Sequence, residues 1–206
     1  MTGMVRKALT IAAGFAVVAS VASAGVPDPR FSTVDAVVVG TNSGVLTQQP
    51  GDPTNPGFDV VVRDVNNAPL SGRTVTLNYS ASGMKVYSTQ DAGTTVNCGA
   101  KSISRVTNGS GVATFGARTG KFNNANTVEV SADGVVLANV KGRSTDIDGL
   151  PEGKTGLNDL SLFSVSYLGA GATETDYDVT GTGNGLGDLS TFANEYLLGP
   201  TLLFCP

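Results

Sequence analysis

The chain has 206 residues, carries 17 acidic against 13 basic side chains for a net charge of −4, and contains no histidine. The lack of histidine excludes Ser-His-Asp and Cys-His nucleophile systems and histidine-ligated metal sites. Neither half of the chain carries a basic stripe that could follow nucleic-acid phosphates, so we expect no nucleic-acid partner.

Residues 1–24 have the pattern of a secretion signal. Arg6 and Lys7 precede an apolar stretch from Ala8 to Val21, and Ala22-Ser23-Ala24 fits the small-residue cleavage rule. The stretch is shorter than the roughly 20 residues of a membrane-spanning helix, and no later segment is apolar enough to span a membrane. We therefore predict a signal peptide and a secreted or cell-surface product; an uncleaved N-terminal anchor is the alternative.

Residues 25–143 are predicted to form a mainly β domain. Val75, Leu77 and Tyr79 alternate with polar residues, which is the period-two pattern of a half-buried strand. Further strands are predicted at 36–39, 58–63, 128–130 and 135–140, the second of them as a buried strand, with turns at 66–69, 108–111 and 133–134. Many short strands separated by turns favour a β-sandwich.

Two segments of this domain resemble a known family. Phe58–Asp64 followed by Ala68–Leu77 reads as a strand, a turn with Pro69 and a G-x-x-V-x-L strand, and Thr107–Phe115 is similar to a T-D-x-x-G-x-A-x-F hairpin. On these residues, domain 25–143 resembles bacterial Ig-like domains of the invasin and intimin kind. The resemblance implies a β-sandwich that serves as a spacer, stalk or adhesive module in an exported bacterial protein.

Catalysis is not expected. The acidic residues of domain 25–143 lie mostly at predicted strand ends and turns, where carboxylates are ordinarily solvated rather than paired for glycoside hydrolysis. The chain has no tryptophan and few other aromatic residues on which a sugar ring could stack. Carbohydrate binding is therefore a minor alternative. We predict that the protein is not an enzyme.

Residues 144–206 carry an acidic motif twice. The copies at 145–169 and 175–199 align as T-D-x-D followed by G-L-x-D-L-S-x-F-x-x-x-Y-L, and Lys154 is the single base of the segment. Oxygen side chains at alternating loop positions, closed by an acid at a helix start, are what a calcium loop needs. The duplication predicts a small α-helical module of two calcium loop-helix repeats; the alternative is that the acids are helix caps and turn residues that bind no metal.

Each loop is predicted to lead into a short amphipathic helix. Asp159 and Asp188 are expected to begin these helices, and Gly169 and Gly199 to end them. The predicted apolar faces consist of Leu160, Phe163, Ser164, Tyr167 and Leu168 in the first copy and of Leu189, Phe192, Ala193, Tyr196 and Leu197 in the second. Since each helix alone is too short to be stable in water, we expect the two faces to pack together.

The duplicated module resembles a type I dockerin, whose loops follow D-x-[DN]-x-[DN]-G-x-x-[DNS]-x-x-D-L and bind one calcium each. The resemblance implies one or two calcium ions. Its implied ligands are Asp146, Asp148, Glu152, Asn158 and Asp159 in the first loop, and Asp176, Asp178, one of Thr180 or Thr182, Asn184 and Asp188 in the second. The loops are two residues and one residue longer than the family pattern, and Asp148 as first ligand would restore the usual spacing to Asp159.

A dockerin-like module implies docking to a cohesin-like or other extracellular protein, in systems that include polysaccharide degradation. The Ser-Thr pair that often marks cohesin recognition is replaced by Leu157-Asn158 and Leu186-Gly187. A second hypothesis is therefore that the repeat caps the sandwich within the same chain and binds no partner. A third is a scaffolding fragment of an enzyme system.

The chain has two cysteines, Cys98 and Cys205. In an oxidising compartment two cysteines tend to pair, and this pair would tie the β domain to the extreme C-terminus. Two free thiols or an intermolecular bond are the alternatives.

Overall fold

The computed structural model describes residues 25–40, 48–49, 52–121, 123–149, 154–168, 185–198 and 202–206, and the fold is mainly β. The strands are β1 (Thr33–Val34), β2 (Val37–Gly40), β3 (Gln48–Gln49), β4 (Asp52–Pro56), β5 (Phe58–Val61), β6 (Thr74–Asn78), β7 (Lys85–Val86), β8 (Thr95–Asn97), β9 (Ser102–Val106), β10 (Val112–Phe115), β11 (Thr119–Gly120), β12 (Asn123–Ala132) and β13 (Val135–Ser144). Two helices follow, α1 (Leu157–Tyr167) and α2 (Leu186–Leu198).

The strands form a large sheet and several small ones. The large sheet has six strands in the order β2-β13-β12-β6-β9-β8, and a three-stranded sheet has the order β1-β5-β10. Two-stranded sheets join β11 to β7 and β3 to β4. Among the described residues, all strand pairs are antiparallel except β13 with β2, which run parallel from Lys141↔Val37 to Ser144↔Gly40.

One buried apolar cluster contains side chains from both larger sheets. Val75 and Leu77 of β6 and Ile103 of β9 contribute from the six-stranded sheet, and Val60 and Phe115 from the three-stranded sheet. These side chains are removed from water almost completely, which is the main favourable term in folding.

The predicted alternation of Val75, Leu77 and Tyr79 is confirmed, because all three are fully buried and their neighbours are not. The expectation of a strand buried on both faces at 58–63 was wrong. In β5 only Phe58 and Val60 are buried, since this strand covers the core with one face.

The hairpin of β12 and β13 is closed by the predicted turn at Asp133–Gly134. Both residues have positive φ, 46° and 82°, the left-handed region that glycine adopts without strain. The Asp133 carboxylate accepts the Thr74 amide and pairs with Arg73, so the turn is fixed to β6. This hairpin fixes the direction of β13, and the first acidic loop begins directly after that strand.

Both helices of the acidic repeat are present, but the faces that they bury differ from the prediction. Phe163 and Phe192 are buried as expected, whereas Leu168 and Leu197 are exposed. The remaining buried positions are polar: Asp159 and Ser166 on α1, and Asp188 and Glu195 on α2. Two of these polar side chains, Asp159 and Asp188, accept backbone amides at the starts of their helices, which explains their place in the buried stripe. Gly169 and Gly199, the predicted helix ends, lie outside the described residues.

The helices pack through aromatic rings. The rings of Phe163 and Phe192 stack with centroids 4.7 Å apart, and Tyr167 and Tyr196 extend this stack at either end. Ile147 of the first loop is buried in the same cluster, against which Val39 of β2 also packs. The helix pair is thus joined to the large sheet by apolar contact.

The C-terminal residues 202–206, called here the C-terminal strap, lie along β7. Cys205 donates its amide to the Val86 carbonyl at 2.7 Å, and Ser88 donates to the Leu203 carbonyl at 2.9 Å. Cys205 is bonded to Cys98, 107 residues earlier in the chain, so the predicted intramolecular disulfide is confirmed. In the described part of the chain, neither helix combines the length and apolarity needed to cross a bilayer.

Candidate metal centre

The first acidic loop (residues 145–156) starts where β13 ends, and this junction fixes its first acid. The Ser144 hydroxyl donates to the Thr119 carbonyl and accepts the amide of Asp146 at 3.2 Å. Because Ser144 is also the last residue paired with β2, the backbone entering the loop is held on both sides. The sheet therefore fixes the backbone position from which Asp146 enters the loop.

Three carboxylates meet in this loop. Asp146, Asp148 and Asp159 each offer an oxygen atom, and these atoms lie within 4.8 Å of one another. Asp146 and Asp159 are 1% and 2% exposed, whereas Asp148 is partly exposed. These three residues, called here the carboxylate cluster, could hold a metal ion.

Asp159 closes the loop from the first turn of α1. The helix begins at Leu157 with Gly156 as N-cap. Asp159 was predicted to be its first residue but is its third. One carboxylate oxygen accepts the Gly156 amide at 2.7 Å, and the other accepts the Asp148 amide at 3.0 Å. The side chain thus caps the helix and ties the two ends of the loop together.

Asp188 repeats the capping contact in the second copy. It is the third residue of α2, is fully buried, and accepts the Gly185 amide at 2.9 Å. The shared capping geometry follows from the duplicated sequence, and it shows that these acids stabilise their helices whether or not they also bind metal.

Asp146 has one partner in the loop and one in the β domain. One of its oxygens accepts the Gly149 amide at 2.9 Å, and the other accepts the Tyr87 hydroxyl at 2.7 Å. Gly149 has a φ of 61°, and a Cβ there would lie 2.7 Å from that of Lys121, so the tight return of the loop requires glycine. Each carboxylate oxygen has a second lone pair, so these bonds leave capacity for a cation.

Burial disfavours the charged form of two carboxylates in the cluster. It raises the pKa of Asp146 to about 7, an effect that the Tyr87 hydrogen bond opposes and the neighbouring Asp159 strengthens. Burial also raises the pKa of Asp159, against the hydrogen bonds from the backbone. The pKa of Tyr87 is raised as well, first by burial and then by Asp146, Asp159 and Glu195. A cation among the carboxylates would relieve this cost.

The remaining predicted ligands of the two loops lie outside the carboxylate cluster or outside the described residues. Asn158 is exposed at the second position of α1 and lines a cleft beside Asp148 and Asp159, which Tyr196 of α2 also lines. Glu152 lies outside the described residues, as do the predicted second-loop ligands Asp176, Asp178, Thr180, Thr182 and Asn184. Asp188 is not a member of the carboxylate cluster.

A role for Tyr87, which lies 59 residues before its partner Asp146, was not predicted from the sequence. No local motif distinguishes it from an ordinary core tyrosine.

The donor set favours a hard cation. Carboxylate oxygens suit calcium, magnesium and manganese, and the described cluster contains no sulfur or imidazole ligand. Calcium accepts irregular geometry and takes 6–8 oxygen ligands, roughly, so it tolerates a loop longer than the usual pattern better than magnesium does. The residues present therefore fit calcium.

Comparison of the chain with protein-family models, curated proteins and solved structures gave no match.

Proposed function

We propose that this is an exported, non-catalytic bacterial protein whose C-terminal repeat binds calcium and docks onto an extracellular partner. The observation that carries the proposal is the carboxylate cluster, in which Asp146, Asp148 and Asp159 converge at the start of α1. Two of these carboxylates are buried, where a cation would offset the cost of their charge.

The proposed architecture is an Ig-like β-sandwich followed by a dockerin-like pair of loop-helix repeats. The sandwich is supported by the two larger sheets, which share one apolar cluster and are built mainly from antiparallel strands. The repeat is supported by the matching helices α1 and α2, with Asp159 and Asp188 in the same position of each. The Cys98–Cys205 disulfide suits an oxidising, extracytoplasmic compartment.

Docking is supported by apolar side chains that the helices leave exposed. Leu157 and Leu186 occupy equivalent positions and are 72% and 76% exposed. Leu168 and Leu197 are also equivalent, at 77% and 74%. These four leucines, two at matching positions of each helix, provide apolar surface that a partner could cover. A cohesin-like protein is the partner class that this module suggests, and any role in polysaccharide degradation would be scaffolding.

A second candidate function is a structural cap that binds no partner. It is favoured by the contacts between the repeat and the β domain: Ile147 and Phe163 share a cluster with Val39, and Tyr87 donates to Asp146. Calcium would then stabilise the chain internally. The exposed leucines favour docking over this alternative.

Calcium binding is tested by calorimetric titration of the intact chain with calcium chloride, together with thermal melts in calcium and in chelator. We expect binding heat and a higher Tm in calcium. Asp159→Asn should remove one binding site, while Glu129→Gln on β12 serves as a matched control that leaves binding unchanged. No heat and no change in Tm for the unmodified chain would overturn the proposal.

Docking is tested by capture from the surface fraction of the source organism, in calcium and in chelator. Leu157→Ser with Leu186→Ser should abolish capture of a defined partner, whereas Val136→Ser, an exposed residue of β13, should leave it intact. Equal capture by both variants, or none in calcium, would favour the structural cap.

A further inference from the structure

We infer that the C-terminal strap controls the calcium affinity of the first acidic loop, with Tyr87 as the positioning residue between them. The inference rests on the proposed calcium binding and goes beyond it. It assigns a role to a β-domain residue and to a chain end that belong to neither acidic repeat.

Tyr87 connects the strap to the carboxylate cluster through a single side chain. Its ring stacks on that of Phe204 with centroids 4.5 Å apart and an interplanar angle of 13°, and its hydroxyl donates to Asp146 at 2.7 Å. Tyr87 is fully buried. The strap therefore packs against one face of the ring whose hydroxyl meets the carboxylate.

Lys85 makes a parallel connection. Its ammonium group lies 4.9 Å from the centre of the Phe204 ring and donates to the Gly149 carbonyl at 2.5 Å. Gly149 is the residue whose amide donates to Asp146. One aromatic ring of the strap thus contacts two side chains, and each of these holds a different part of the first loop.

Gly120 of β11 shows how closely the strap and the loop approach each other. A Cβ at this position would lie 2.5 Å from a carboxylate oxygen of Asp146 and 2.7 Å from the ring of Phe204. The carboxylate and the ring therefore meet over the same backbone atom, with no room for a side chain between them. A shift of the Phe204 ring would therefore change the packing around the Asp146 carboxylate.

The strap is held in place by a covalent bond. Cys205, next to Phe204, is joined to Cys98 beside β8, and backbone hydrogen bonds on both sides of Phe204 align the strap with β7. Hydrogen bonds to a metal ligand from outside the ligand set orient it, and their loss typically weakens metal affinity by about 10–100-fold. Loss of the Cys98–Cys205 bond should act in the same direction, because it frees the strap that positions Tyr87.

The test is calorimetric titration of the full-length chain with calcium chloride. Tyr87→Phe keeps the ring and its stack but removes the hydroxyl, and should weaken calcium binding by about 10–100-fold. Replacing both cysteines, Cys98→Ser with Cys205→Ser, should weaken it several-fold. If Tyr87 transmits the effect, the cysteine replacements should cause little further loss in the Tyr87→Phe background.

A second variant keeps the test decisive if the cysteine replacements prevent folding. Phe204→Leu retains the disulfide and removes the aromatic stack, and should weaken calcium binding while far-ultraviolet circular dichroism stays unchanged. Normal calcium affinity in Tyr87→Phe and Phe204→Leu would overturn the inference and leave the calcium proposal intact. Failure of the unmodified chain to bind calcium would overturn both.

Discussion

The buried Asp146 carboxylate predicts an unusual dependence of stability on pH when calcium is absent. Its pKa is raised from 3.8 to about 7 in the folded chain, so the folded state keeps a proton that the unfolded state has already lost. Stability is therefore highest below pH 4 as far as this group is concerned, and it falls as the pH rises to about 7. This is the opposite of the behaviour of a salt-bridged acid.

The size of the effect follows from the shift. Each pKa unit corresponds to about 1.4 kcal/mol, so about 3 units correspond to about 4 kcal/mol in total, of which about 3 kcal/mol should be lost between pH 5 and pH 8. Burial acts on Asp159 in the same direction. Calcium should reverse the trend, because the cation takes the place of the proton and binds more tightly as the pH rises.

The assay is urea denaturation at pH 5 and pH 8, in chelator and in calcium, with Asp146→Asn as the comparison. In chelator we expect the unmodified chain to be less stable at pH 8 and the variant to lack most of this loss. Calcium should raise the stability of the unmodified chain more at pH 8 than at pH 5. Equal pH dependence in both proteins, or greater stability at pH 8 in chelator, would show that Asp146 does not retain its proton in the folded chain.

Three further predictions concern the stability of the folded chain. Phe163→Ala should lower the free energy of unfolding by about 3–5 kcal/mol, measured by urea denaturation, because it leaves a cavity in the aromatic stack. Cys98→Ser with Cys205→Ser should lower it by up to about 5 kcal/mol, the entropic value for a closed loop of about 100 residues, and an unchanged midpoint would contradict this. Gly120→Ala should reduce both the melting temperature and the calcium affinity, since its Cβ would lie 2.5 Å from a carboxylate oxygen of Asp146.

The sequence predicted the strands and helices better than it predicted which of their side chains are buried. Alternation at Val75, Leu77 and Tyr79 predicted β6, and the duplicated motif predicted both helices, because period and capping are local properties. The exposure of Leu168 and Leu197 was not predicted. Periodicity ranks residues by hydrophobicity, whereas the buried stripe of these helices includes Asp159 and Asp188, which accept backbone amides at the helix starts.

The candidate site was predicted in part for the same reason. The loop spacing placed Asp146, Asp148 and Asp159 near one another, and the structure brings them together. Tyr87 reaches Asp146 only through the register of β7 with β11 and the strap, which depends on contacts between distant segments. Long-range pairing of this kind leaves no mark in the local sequence.

The most direct test of calcium binding at the carboxylate cluster is a crystal structure of the intact chain grown in calcium, with anomalous diffraction measured for the metal. We predict a calcium peak at about 2.3–2.6 Å from oxygens of Asp146, Asp148 and Asp159, the usual calcium–oxygen distance. The Tyr87 hydroxyl should still donate to Asp146. The absence of an anomalous peak at the cluster in saturating calcium would show that these three carboxylates do not bind calcium, and would leave Asp159 with its role as a helix cap.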